Sequence, residues 1–386
     1  MEVILAGRSP GHLDAVERAS RLLCERGIEI RSQAIGRGNY RQILEGADCV
    51  IIQIRVGGFS GRLFDESFPI NFRLCGDEGL GVGGLSAGWR TWPVLMTILE
   101  AIASFCPQSF VILLTAPLTM LVRASLRHVD LNLVGICELP WTTLRQFSGL
   151  LGLQARELAC DYVGFNHFGW FYNIRSRGQD LMDRLAAAKC AFPPADVLRR
   201  YRCLPTRYLR LHYEADQVLA EQTANRSRRA EVLANCQSRA YEVYESGDLG
   251  EIEAVLQNRT TPWYSDAVGP LLLALDGESL DLPFFLSVRN ADYVSFLADD
   301  DVIECRHEYS NGKLVRSPLY GECPRHMIEN LTQMAEFERK ATNAIMGRSV
   351  QLLREALGAH PWIHDHSHLG EIAEEIVSAN EAIALY

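Results

Sequence analysis

The chain has 386 residues, more than a single hydrophobic core ordinarily serves, so two packed lobes are expected. Hydrophobic residues at 48% and charged residues at 22% exclude a disordered chain. A net charge of −10 without a basic stripe excludes nucleic acid as a partner and disfavours anionic membranes.

The apolar runs, such as 110–114, are far too short to span a bilayer, and no charged segment followed by an apolar one opens the chain as a signal peptide would. The 11 cysteines are odd in number and irregularly spaced, which reads as reduced thiols in a cytoplasmic protein.

The predicted elements begin with a strand at 2–6, an amphipathic helix at 12–25, a strand at 28–34, a short helix at 40–45 and a strand at 49–56. The last is apolar on both faces, as a central parallel strand is. A long helix runs from 82 to 104, followed by strands at 110–115 and 134–137. This alternation predicts an α/β, Rossmann-like, doubly wound parallel sheet over 1–160. A ligand is expected beyond the carboxyl ends of its strands, near Gly7-Arg8-Ser9, Arg55-Val56-Gly57-Gly58, Thr115-Ala116-Pro117 and Cys137-Glu138.

Residues 161–386 read as a mixed α+β lobe. Helices are expected at 181–189, 214–224 and 227–244, strands at 287–290 and 302–307, and an Asn-Gly hairpin at 309–313. A long helical region covers 325–357. The apolar stretches 94–102 and 327–337 are candidates for the surface of a homodimer or homotetramer, or else for core.

The spacing G-x-G-x-x-G is absent near Gly7 and Gly11. In one reading the strand at 2–6 is the second strand of a dinucleotide domain whose first strand and glycine-rich loop are missing. Arg8 and Ser9 then stand where the adenosine ribose of NAD, or NADP, is held. In the other, Gly7–Gly11 is simply a loop.

Cys137 ends an apolar strand and His167 lies in Gly164-Phe165-Asn166-His167-Phe168-Gly169-Trp170. A thiolate and an imidazole suit a borderline divalent ion, while either residue alone is more commonly core. A strand at 161–165, with a helix over 142–153 before it, makes a strand–helix–strand unit. If its strands are parallel neighbours, Cys137 and His167 reach one sheet edge. His364-Asp365-His366-Ser367-His368 reads either as a metal cluster or as the start of the last helix.

An ordered set of motifs resembles glycoside hydrolase family 4. They are Ile54-Arg55-Val56-Gly57-Gly58, Asp65-Glu66, Gly76-Asp77-Glu78, Gly83-Gly84 with Arg90-Thr91-Trp92-Pro93, and Gly135-Ile136-Cys137-Glu138-Leu139-Pro140. Asn166-His167-Phe168-Gly169-Trp170 and Leu204-Pro205 with Tyr208-Leu209-Arg210 follow. The acid after the cysteine is most similar to the 6-phospho-α-glucosidases.

The resemblance implies glycoside cleavage by C3 oxidation, elimination, addition and reduction with NAD and a divalent metal, most often manganese, on a phosphorylated or otherwise anionic small-molecule glycoside. It implies Cys137 and His167 as metal ligands, Tyr208 as base and Glu138 as acid. Arg55, Asn166 and Arg228 are implied as substrate contacts. The sequence departs from the family pattern at Ala116, Asp77 and Thr260-Thr261-Pro262-Trp263. The absent glycine-rich loop together with Ala116 keeps a non-catalytic sugar- or partner-binding relative as one alternative, and the shared doubly wound plan with an Arg after a strand keeps a 2-hydroxy-acid dehydrogenase as another.

Overall fold

The structure is a computed structural model that describes all residues except 25–26, 37–38, 189, 226, 259–262, 279, 281, 311 and 384–386. The first half comprises β1 (Glu2–Gly7), α1 (Pro10–Leu23), β2 (Glu29–Ala34), α2 (Tyr40–Leu44), β3 (Cys49–Ile52), α3 (Gly58–Asn71), α4 (Gly81–Phe105), β4 (Phe110–Leu113), α5 (Leu118–His128), β5 (Asn132–Ile136) and α6 (Leu139–Leu150). Then follow β6 (Ala159–Phe165), β7 (Phe168–Ser176), β8 (Gln179–Asp180), α7 (Met182–Ala187), α8 (Ala195–Tyr201), β9 (Cys203–Pro205), α9 (Arg210–Tyr213), α10 (Ala215–Ala224), α11 (Arg229–Ser246), α12 (Leu249–Asn258) and α13 (Gly269–Leu275). The chain closes with β10 (Phe284–Arg289), β11 (Val302–Ser310), β12 (Lys313–Arg316), α14 (Arg325–Gly347), α15 (Val350–Ala359) and α16 (Leu369–Ile383).

The predicted α/β fold is observed, but its strands fall into two sheets. β1 and β2 form a parallel pair of their own. β3, β4 and β5 are parallel and open a larger mixed sheet of order β3-β4-β5-β10-β11-β6-β7-β8, with β12 on β11 and β9 on β7. β3, expected to be central, is therefore an edge strand among the described residues, and Ile51 is 40% exposed there. Residue 160 lies within β6, inside this sheet.

Alternation along β4 and β5 explains the two-faced core. Val111, Leu113 and Leu133 join the cluster with α4, α5 and α14. Ile112, Val134 and Ile136 point the other way, toward Leu271 and Ala274 of α13.

Several helices escaped the sequence reading, among them α3, α5, α8, α12 and α13. α3 carries three glycine or proline positions in Gly58, Gly61 and Pro69, which mask its periodicity, and α5 follows directly on Pro117. The region 325–357 divides into α14 and α15 at Arg348, whose φ of 50° ends the first helix. Met327, Leu331, Met334 and Phe337 are all buried inside the protomer, so the 327–337 stretch is core and not an apolar docking surface. The β11–β12 hairpin forms as expected, with Asn311 and the ends of the helices expected to reach Glu25 and Lys189 outside the described residues.

One expectation is overturned. β5 and β6 are not parallel neighbours: β10 and β11 lie between them, each step antiparallel, so β6 runs opposite to β5. The right-handed crossover rule governs parallel strands in one sheet. It does not apply here, because a hairpin from the C-terminal third is inserted between the two.

Candidate active site

The turn after β5 presents Cys137 and Glu138. The Cys137 sulfur accepts the Leu139 N–H at 3.5 Å and its thiol donates to Glu138 Oε2 at 3.4 Å. Glu138 occupies the N-cap position of α6. Burial, followed by the carboxylates of Glu138 and Glu304, pushes the Cys137 thiol well above its ordinary range. Only a cation at the sulfur would favour the thiolate in such surroundings.

β6 and β7 pair through Phe165 and Phe168, leaving Asn166 and His167 as the two residues of a tight hairpin. His167 has φ 65°, a left-handed conformation uncommon for a residue with a side chain. The backbone N–H of Asn166 donates to Thr119 Oγ1 at 2.8 Å, which anchors the turn to α5. Gly164 and Gly169 make the hairpin possible, because a Cβ on Gly164 would lie 2.3 Å from the Gly169 Cα.

His167 Nδ1 is buried with no hydrogen-bond partner among the described residues. Burial first, then the positive charges of Arg207 and Arg62, lowers its pKa to about 3, so the imidazole is neutral and able to ligate.

Tyr208 sits in a one-turn helix, Arg207–Leu209, held beside the hairpin by β9 pairing with β7. Its ring stacks on His167, centroids 4.0 Å apart. Burial and the nearby Asp77 raise the Tyr208 pKa, with Arg207 opposing. The phenol therefore needs further positive charge beside it before it can act as a base. Asp77 accepts the Gly79 and Leu80 N–H groups at 2.8 and 3.0 Å, and its own pKa is raised to about 6 by burial.

Gly79 brings that loop against the imidazole: a Cβ there would lie 2.9 Å from His167 Nδ1. The preceding residue, Glu78, pairs with both Arg55 and Arg62, and Arg62 also reaches Glu66 at 2.6 Å. Arg55 thus borders the same site, its guanidinium 5.4 Å from the centre of the Phe59 ring.

Arg228 is tied to the loop before Asp77 through Gln222, whose side chain bonds both backbone groups of Gly76. The Arg228 guanidinium donates to the carbonyls of Gln222 and Asn225 and to Ser67 Oγ, joining α10, α11 and α3. Arg8 and Ser9 are exposed between β1 and α1, and the Ser9 side chain makes no cap hydrogen bond.

Several motif residues prove to be scaffold. Asp65 and Arg90 form a buried ion pair at 2.6 Å between α3 and α4. Glu66 accepts the Ala230 N–H at 2.9 Å. In the 364–368 stretch, Asp365 accepts the Ser367 N–H at 2.9 Å and His368 meets Glu371 at 3.1 Å, which is helix-start chemistry.

The sequence reading missed Glu304 and Tyr162. Glu304 is buried in β11, accepts the Tyr162 hydroxyl at 2.5 Å and the Asn166 Nδ2 at 3.3 Å. Its pKa is pushed up to about 8 by burial. The available signal was a lone carboxylate within the apolar run Val302-Ile303-Glu304-Cys305.

Among the described residues no group of three or more His, Cys, Asp or Glu is placed to hold a metal. The thiol of Cys137 and the unpartnered nitrogen of His167 fit a two-residue centre with open positions, the form that suits catalysis over structure. Asn166 precedes His167 in the turn, and its side chain works against burial in setting the Cys137 thiol pKa.

The chain is thus an α/β protein with a Rossmann-like sheet beside which His167 and Tyr208 stack. Residues 2–153 match the family 4 glycosyl hydrolase domain and residues 162–363 match the family's C-terminal domain, so the chain belongs to glycosyl hydrolase family 4. A probable 6-phospho-β-glucosidase of Bacillus subtilis is 25% identical over 361 residues, covering 89% of this chain and 81% of that protein. The 6-phospho-β-glucosidase of Thermotoga maritima, solved with NAD and glucose-6-phosphate, superposes with a TM-score of 0.85 at 22% identity, over 99% of this chain and 91% of that one. A 6-phospho-α-glucosidase from gut microorganisms, solved with NAD and Mn2+, gives 0.82 at 20% identity, over 99% and 92%. These likenesses do not favour the dehydrogenase alternative.

No helix among the described residues is long and apolar enough to cross a membrane.

Proposed function

We propose that the protein hydrolyses a 6-phosphorylated glycoside by the oxidation–elimination–addition–reduction route of its family, with NAD and a divalent metal, most often Mn2+. The observation that carries this reading is the stack of His167 on Tyr208, with an unpartnered imidazole nitrogen.

In this reading Cys137 and His167 hold the metal. When bound, Mn2+ supplies Lewis acidity toward sugar hydroxyls and NAD supplies reversible oxidation of a sugar carbon. Tyr208 removes the proton from C2 and Glu138 gives one to the glycosidic oxygen. Arg55 holds the anionic end of the substrate, with Arg228 and Asn166 as the further substrate contacts. Arg8 and Ser9 face the cofactor ribose. Residues 1–160 carry the cofactor and 161–386 the metal-side chemistry, within a homodimer or homotetramer.

Purified protein is expected to cleave nitrophenyl 6-phospho-glucosides only when both Mn2+ and NAD are supplied. Assaying the α and β anomers in parallel assigns the stereochemical class. Cleavage that persists in chelator without cofactor would sink this mechanism. Binding of the sugar phosphate without any cleavage would favour the non-catalytic relative, for which Ala116 is the motivating departure.

A further inference from the structure

Glu304 has three structural relations that the proposed chemistry leaves unused. It is fully buried on β11, directly across from Gly164 of β6. One carboxyl oxygen accepts the Tyr162 hydroxyl and the other accepts Nδ2 of Asn166. Asn166 is the first residue of the two-residue turn whose second is His167.

A primary amide has two N–H hydrogens on one side and a bare oxygen on the other. With Oε1 of Glu304 accepting one of these hydrogens, the amide is tied to β11 from behind the turn that presents His167.

The hairpin glycines serve this contact. A Cβ on Gly169 would lie 2.2 Å from the Tyr162 hydroxyl, so any larger residue would displace the tyrosine that holds the other side of Glu304. Gly169 and Asn166 belong to the motif around His167. Its spacing is thus explained in part by a residue well over a hundred positions further along the chain.

We propose that Glu304 is a positioning residue for the candidate metal centre: it holds the Asn166 side chain, and with it the two-residue turn that presents His167. The inference rests on the metal role proposed above for Cys137 and His167. Loss of a residue that orients a metal ligand from behind costs roughly 10–100-fold in metal affinity.

The test is Mn2+ titration of the full chain, followed by the electron paramagnetic resonance signal of free Mn2+, with thermal melting as the folding control. Glu304→Gln keeps an acceptor for Asn166 and a donor for the Tyr162 oxygen, and is expected to bind Mn2+ like the unmodified protein. Glu304→Met keeps the length and loses the acceptor, and is expected to weaken binding by about tenfold or more. Asn166→Leu is expected to show the same loss, and adding Glu304→Met to it no further loss.

Wild-type affinity in a folded Glu304→Met protein overturns the inference. If that variant does not fold, Asn166→Leu decides alone, and its retaining full affinity overturns the inference equally. Failure of the unmodified protein to bind Mn2+ at all would instead overturn the metal role itself.

Discussion

The imidazole of His167 lies flat on the phenol ring of Tyr208, their planes 4° apart. The contact joins a two-residue hairpin turn to a one-turn helix that β9 holds against the same hairpin. A ring lost from either position would remove both a chemical group and a packing surface. Tyr208→Phe separates the two, because the stack survives and only the hydroxyl goes. Turnover is expected to fall by roughly 10²–10⁴, the ordinary worth of a general base, with little change in melting temperature. Full turnover in the phenylalanine variant would show that Tyr208 serves packing alone.

Cys137→Ser tests the other side of the site. A serine hydroxyl can accept the Leu139 N–H and donate to Glu138 as the thiol does. Stability is therefore expected to change by no more than about 1 kcal/mol, since neither bond is left unmade. Metal-dependent activity is expected to disappear, because a hydroxyl is a far poorer ligand than a thiolate for a borderline ion. Large destabilisation with activity retained would identify Cys137 as core.

Asp65 and Arg90 are expected to carry stability and no chemistry. Both side chains are almost wholly buried, and Arg90 also donates to the Val56 carbonyl at 2.8 Å. Asp65→Ala leaves a guanidinium without its counter-charge, which costs roughly 3–5 kcal/mol. Urea denaturation measures this directly. A loss below about 1 kcal/mol, the range of an exposed ion pair, would refute the buried character of the contact.

Stability is expected to fall as pH rises from about 7 to 8. Burial pushes Glu304 and Glu338 up to about 8, so in this window each is protonated when folded and ionised when unfolded. The unfolded chain then binds fewer protons, and each group costs up to about 1.4 kcal/mol per pH unit. His167, His212, His307 and His360, lowered by burial to about 3, 4, 4 and 3, work in the opposite direction, chiefly at lower pH. In the unfolded chain they are still about half protonated at pH 6.5 and largely deprotonated by about pH 7.5, so they offset the glutamates only at the lower end of this range. Glu338→Gln should flatten the decline measured by chemical denaturation at pH 7 and 8. An unchanged slope would show that Glu338 is ionised in the folded protein.

Local pattern determined a large share of this protein. The alternation of apolar runs and amphipathic stretches marked β1 to β5, α4 and most helices of the second half, because strand and helix periodicities are properties of neighbouring residues. The motifs around Cys137, His167 and Tyr208 marked the family and the centre of the site, since each is a short contiguous string. Only the tertiary structure decided how those strings meet. The hairpin β10–β11 enters between β5 and β6, reverses β6 relative to β5, and carries Glu304 to Asn166. Nothing in the 137–167 segment records that insertion, because strand pairing is set by partners distant in sequence. A single carboxylate in an apolar strand acquires a role only when the fold supplies Tyr162 and Asn166 to bind it. For the same reason Asp65, Glu66 and Arg90, which read as site motifs, are scaffold: their partners sit on other elements, and burial between α3, α4 and α11 gives those charges their function.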